Sequence, residues 1–245
     1  MKKTVALLLS TVSLLHAGSP DLETTIVAAK PEPWIKPVID IRARYEFADI
    51  DGLNNANAFT IRERLGLQTQ QWNGFSALIE GEFTQVVVDD YNGGAIGADP
   101  FNPADSVIAD PETNELNQGY IQYNGFDTMT RTGRQRIIYD NAAFIGNVGW
   151  RQNEQTYDGF TFENKSVDDL TLKYAYIGQV NRIFGSEATA PNFEYVDGDI
   201  NLININYTGF AGLSLTSYAY IMNFHDLQSW DNNTFGGIAK GCLLY

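Results

Sequence analysis

Three pairs of arginines share one spacing. Arg42 and Arg44, Arg62 and Arg64, and Arg134 and Arg136 are each separated by a single residue. A guanidinium is planar, charged at any ordinary pH, and offers parallel N–H donors that match a carboxylate or a phosphate. A spacing of two puts both side chains on one face of a β-strand, because successive residues alternate between faces. Glu80 and Glu82 repeat the spacing with carboxylates. Arg151 lies in a less regular segment, so seven of the nine arginines fall on such a face or in a segment joined to it. Rows of this kind support two chemistries. One is an ion-pair ladder that only fills space, since side chains alone can fill a barrel of about eight strands. The other is a path of weak anion sites, in which counter-charges let a bound solute leave again.

Other chemistries are poorly supplied. Only His225 follows the leader segment, beside Asp226, and no serine is placed to form a hydrolytic site with it. No enzyme activity is expected. There is no cluster of His or Cys for a metal, Cys242 is the single cysteine, and no disulfide framework is available. Asp197-Gly198-Asp199 could hold calcium weakly but reads as a solvated loop. No phosphate-cradling glycine loop occurs, and a net charge of −14 argues against nucleic acid as a partner. No cofactor is expected.

The first residues set the compartment. Met1-Lys2-Lys3 is a basic start, Thr4 to Leu15 is an apolar run, and Leu15-His16-Ala17 offers a small residue for cleavage. That is a secretory signal over 1–17, too short to span about 30 Å of hydrocarbon. Its loss changes the formal charge to −14 − 2 = −16. Residues 18–36, with Pro20, Pro31 and Pro33, read as a periplasmic lead-in, and Trp34 marks arrival at a membrane interface.

From Val38 the pattern has period two. Ile39, Ile41, Ala43, Tyr45 and Phe47 share one face, and Asp40, Arg42, Arg44 and Glu46 share the other. Such alternation predicts a strand. Further strands are predicted over 59–70, 75–84, 116–123, 128–138, 155–164, 170–176, 200–207 and 213–222, with a tenth starting near Thr234. On the second strand Glu63 breaks the apolar face. The links alternate in length. Short turns follow Trp72, Asn124, Lys165 and Gly209, whereas 48–58, 85–114 and 184–199 are long, acidic loops. Short turns on one side and long loops on the other are how outer-membrane barrels are built. Aromatic residues near the short turns (Trp72, Phe75, Tyr123, Phe126, Phe162, Tyr207 and Phe210) match an interfacial girdle. The expected fold is an all-β antiparallel transmembrane barrel over 37–245, with arginines inside and carboxylates in the outer loops. The competing expectation is a soluble periplasmic carbohydrate-binding β-sandwich, which would share the aromatics and the loops.

The segment from Gly133 to Gly159 mixes cations, amides and aromatics without alternation, and holds Phe144, Ile145, Val148 and Trp150. It reads as a loop folded into a pore as a constriction. This segment, with the Arg-x-Arg strands, Phe75-Ser76-Ala77-Leu78-Ile79-Glu80-Gly81-Glu82 and Gln179-Val180-Asn181-Arg182-Ile183-Phe184, resembles the bacterial alginate export family and its porin-like relatives over most of the mature chain. The resemblance implies a larger outer-membrane barrel with an electropositive pore that passes an acidic sugar polymer. On it, Arg42, Arg44, Arg62, Arg64, Arg134, Arg136 and Arg151 are candidate pore residues, with Glu80 and Glu82 among them. The implied partners are outer-membrane lipid, the barrel-assembly machinery and an anionic or sugar-like solute. The family's barrel is about half built at Tyr245, which predicts a C-terminally truncated, non-functional or incomplete member. The counter-reading is a small ten-stranded barrel.

Overall fold

A computed structural model describes residues 33–241. The expected leader (1–17), most of the lead-in and Cys242 lie outside the described residues. Ten strands follow one another: β1 (Ile35–Ala48), β2 (Ala56–Thr69), β3 (Phe75–Asp90), β4 (Thr113–Gly125), β5 (Thr128–Gln135), β6 (Thr156–Val167), β7 (Leu170–Asn181), β8 (Tyr195–Phe210), β9 (Leu213–Phe224) and β10 (Asn232–Gly241). They form one antiparallel sheet in sequence order, each strand pairing only with its sequence neighbours. Among the described residues β1 and β10 are free edges, so the sheet is not closed. A two-layer sandwich would need a second sheet, and the single sheet excludes it.

The two faces differ as the alternation requires. Ile39, Ile41, Tyr45 and Phe47 on β1, Leu65 and Leu67 on β2, Ile79 on β3, Ile121 on β4 and Phe235 on β10 are all exposed, Ile39 at 65% and Phe235 at 68%. A continuous apolar face of this size is a liability in water and a requirement in a bilayer. The opposite face carries Asp40, Arg42, Arg44, Arg62, Arg64, Glu80 and Glu82. Cross-strand register aligns Arg42 with Arg62, Asp40 with Arg64, and Arg64 with Glu82. It is covered by connections, and is called the inner face below.

Links on one side of the sheet are short. Phe126 and Asp127, both with positive φ, close the β4–β5 hairpin in two residues, as a mirror-image turn requires. Trp72 and Phe75 exchange backbone hydrogen bonds of 2.7 and 2.8 Å before β3. Trp72, Phe75, Phe126 and Phe210 are exposed beside these turns. The long links, 91–112, 136–155 and 182–194, lie on the other side. Parts of them fold over the inner face: Tyr91 and Ile108 pack on Ala56 and Ala58, and Ile137, Tyr139 and Ile145 pack on Ala175, Ile177, Ile200, Leu202 and Tyr220.

Several element bounds depart from the periodicity, β8 among them, which begins at Tyr195 inside the expected loop 184–199, and three departures bear on the site. β3 runs to Asp90, because Val86 to Asp90 continue to pair with Asn57 to Thr60. β5 stops at Gln135, three residues early, because Ile137 and Tyr139 leave the sheet to bury against β7–β9. β10, expected to start near Thr234, begins at Asn232 and continues through Ile238 to Gly241, paired with Thr216 to Leu213.

Candidate functional site

The inner face of β1–β4 and the connection 136–155 meet in one polar cluster. Gln152, Asn153 and Glu154 are each 1% exposed or less, inserted between the strands and the loops. Irregular backbone inside a barrel must find partners for its amides and carbonyls. The arginines of β1 provide them. Arg42 donates to the Gln152 side chain at 2.7 Å, to the Gly149 carbonyl at 3.1 Å and to the Arg151 carbonyl. Arg44 donates to the Trp150 carbonyl at 2.7 Å. The Gln152 amide donates to Thr60 Oγ1 at 2.7 Å, and Thr84 donates to Asn153 Oδ1 at 2.6 Å.

Charges are paired along the same row. Arg62 meets Asp40 at 2.7 Å and Arg64 meets Glu82 at 2.5 Å. Glu154 is the hub. It takes Arg136 in two contacts, lies 3.5 Å from Arg64, and accepts from Asn117 at 2.7 Å and Asn147 at 2.6 Å. Burial pushes its carboxyl up, but the hydrogen bond from Arg136 and the field of Arg64 outweigh this, and the net shift is downward. Arg44 pairs with Glu46 and, at 3.1 Å, with Asp110. Arg151 pairs with the same two carboxylates at 3.2 and 3.8 Å. Arg42, Arg44, Arg62, Arg64, Arg136 and Arg151 thus stand among Asp40, Glu46, Glu80, Glu82, Asp110 and Glu154, a formal balance of 6 − 6 = 0.

Eight of the nine sequence-selected residues are therefore brought together, and one is not. Arg134 pairs in register with Gly119 and Asp158, and forks onto both Asp158 oxygens at 2.7 and 2.8 Å. Its neighbour Gln135 is buried on the inner face against Thr161. By alternation Arg134 points the other way. The inner cation of β5 is Arg131, which periodicity passed over. It donates twice to Gln122 Oε1, at 2.6 and 3.0 Å, and stacks over the Tyr120 ring at 4.2 Å.

Below the cluster, toward the short turns, lies a cavity of 390 Å³ lined by Val38, Gln68, Leu78, Glu80, Gln118, Tyr120, Arg131, Arg136 and Ile138. Arg131 and Arg136 also line a second, 130 Å³ cavity with Lys173 and Glu163. Glu80, the carboxylate of the larger cavity, is tied to Asn117 at 2.9 Å and Gln118 at 3.0 Å.

His225 lies apart, in the long connection before β10. It meets Asp199 at 3.0 Å, and Asp199 accepts from Tyr176 at 2.7 Å. The hydrogen bond to Asp199 raises the His225 pKa, and the group is open to solvent. No serine or other nucleophile is among these contacts. Among the described residues no group of His, Cys, Asp and Glu is placed to hold a metal ion.

An amphipathic antiparallel sheet with an apolar outer face, a polar inner face and an infolded connection defines a fold class, that of a partial outer-membrane β-barrel of the porin type. Solved structures with this fold include OccAB2 of Acinetobacter baumannii (18% identity, TM-score 0.61, covering 77% of this chain and 49% of that one). OccAB3 of the same organism matches at 16% identity and TM-score 0.59, over 77% of this chain and 50% of that one. OccK9 (OpdG) of Pseudomonas aeruginosa matches at 12% identity and TM-score 0.51, over 84% and 63%. The chain spans about half the length of the two Acinetobacter structures. No protein-family model and no curated protein sequence matches it.

Proposed function

We propose that the chain forms the wall and the constriction of an outer-membrane channel in a Gram-negative-type bacterium, and that this channel passes anionic and polar solutes. The observation that carries the reading is the placement of Arg131, held by the Gln122 amide and the Tyr120 ring, on a 390 Å³ cavity whose one carboxylate, Glu80, is already tied to two amides. Arg42, Arg44, Arg62, Arg64 and Arg151 have a different task in this reading. Their charges are matched, and they fasten the connection to the wall. Selectivity then rests on the cations that face open space, as in pores lined by rings of basic side chains. Acidic sugars are the solute class favoured by the likeness to the alginate export family. Outer-membrane lipid and the barrel-assembly machinery are the partners this function requires.

The test is ion preference in planar bilayers, on the chain or on a longer barrel that contains it. Arg131→Gln should shift a preference for anions toward cations, while Arg62→Gln and Arg136→Gln, which lose pairs with Asp40 and Glu154, should alter stability more than preference. An unchanged ratio in Arg131→Gln would sink the assignment of this residue.

A further inference from the structure

The inner face is divided: polar and charged over β1–β4, aromatic over β9. Tyr218 and Tyr220 of β9 stack at 4.8 Å with an interplanar angle of 20°. Phe144, from the infolded connection, leans on both, with centroids 5.7 Å from Tyr218 and 6.5 Å from Tyr220. Tyr139 closes the row on Tyr220 at 6.2 Å. Tyr139 and Tyr220 are buried and hold the connection down. Tyr218 packs against the same cluster from its edge, and Phe144 lies outside it. Phe144 is 61% exposed, and Tyr218 is half-buried. The Tyr218 ring lies over Gly236, its register partner on β10, where any Cβ would collide with the phenol. The ring is thus seated by a glycine and remains partly exposed. Polar groups rim the rings. Asn204 donates to Asp140 at 3.1 Å and to the Tyr220 hydroxyl at 3.3 Å, and Lys240, itself half-exposed, stands 3.9 Å from Asp140.

We infer that Phe144 and Tyr218, rimmed by Asp140, Asn204 and Lys240, form a contact site for the pyranose ring of a saccharide solute. The inference rests on the inner face being a path for sugar solutes, and adds to that reading the place where the sugar ring touches the wall. An aromatic ring has an electron-rich face that attracts polarised C–H bonds. A pyranose presents such C–H bonds on its flat faces and hydroxyls on its edge, which matches rings flanked by donors and acceptors. A purely apolar ligand would leave the rim charges without use, and an inorganic anion would leave the rings without use. Few precisely placed polar groups around an apolar floor is the general form of a small-ligand site. Weak contact of this kind also suits transport, because the solute must leave.

The experiment is saturation-transfer NMR on the micelle-held chain, with a neutral β-linked glucose tetramer and a uronate trimer as probes. Saturation of protein aromatic protons should reach the ring C–H protons of both probes. Phe144→Ala and Tyr218→Ala should each weaken binding about three- to tenfold, on the scale of one aromatic contact, and Phe144→Tyr should restore it. Phe144 is exposed on a connection, so its variant keeps the sheet, which a heat-dependent gel shift verifies. Binding unchanged in the Phe144→Ala variant, or transfer absent with a folded sheet, overturns the site. Binding of the uronate alone also overturns it, since charge would then suffice. Ion preference through Arg131 is read separately, so failure of the channel reading is recognised by itself.

Discussion

Glu154 is the residue on which the inner cluster turns. Its side chain is fully buried and joins Arg136, Arg64, Asn117 and Asn147, which come from two strands and the connection. Removing one partner from a buried set of charges leaves the others uncompensated. Glu154→Gln should therefore cost about 3 kcal/mol, read as a lower midpoint in urea. The pH dependence has a definite sign. The folded carboxyl titrates below its unfolded value, so its contribution is present above that value and is lost as pH falls through the depressed one. Docking of the connection, followed by Trp150 fluorescence, should hold from neutral pH through the ordinary carboxylate range and fail only below it. The same scale shows what could be read in advance. Arg42, Arg44, Arg62, Arg64, Glu80 and Glu82 were legible because the opposite face of their strands is apolar, which fixes the phase of the alternation. β5 has Thr130, Thr132 and Arg134 on one face and Arg131, Gly133 and Gln135 on the other. Both faces are polar or small, so nothing in the sequence says which cation points inward. That is why Arg131 was missed and Arg134 chosen.

At the scale of elements, the connection 136–155 is the part that most departs from regular structure, yet its deep end is fixed by neighbours on β1–β4. Its tip is different: Phe144 and Trp150 are exposed, while Gln152 to Glu154 are buried. Limited chymotrypsin digestion should cut after Phe144 or Trp150 and leave 152–154 intact. Early cutting within Asn153-Glu154-Gln155 by a broad protease would show that the docking is wrong. The sequence marked this segment as non-strand and too apolar for a solvated loop, and so pointed to its infolding. It could not supply the partners, because those are backbone carbonyls of Gly149, Trp150 and Arg151 that any sequence would carry. A second element-level expectation concerns Gly133. Its φ of +119° is a region that L side chains rarely adopt, and a Cβ would strike the Gly119 carbonyl across the β4–β5 ladder. Gly133→Val should disrupt that pairing and abolish the compact, fast-migrating form on unheated gels.

For the whole molecule, the decisive property is the apolar outer face. It predicts a cost that a water-facing sheet would not show. Ile79→Arg, on an exposed position of β3 between Leu67 and Gly119, should destabilise the lipid-embedded chain by about 2 kcal/mol or more at mid-bilayer depth. Unfolding in lipid vesicles measures it, and a neutral result would argue that this face does not meet hydrocarbon. The overall architecture was the most legible feature of all, since alternation recurs in ten strands, the long-short rhythm runs through their nine links, and each unit constrains the next. The open sheet was expected from the family resemblance alone, because register across an open edge depends on a partner strand that local pattern does not specify. The even count of ten strands among the described residues has one more consequence. The sheet enters at β1 and leaves at β10 on the same side, that of the short turns, and every strand between pairs only with its neighbour in sequence. A hairpin can therefore be inserted into or lost from such a meander without reversing the sidedness of any other loop. Gene duplication acting on two-strand units would change the circumference of the wall in steps, while each existing surface kept its orientation to cell and environment.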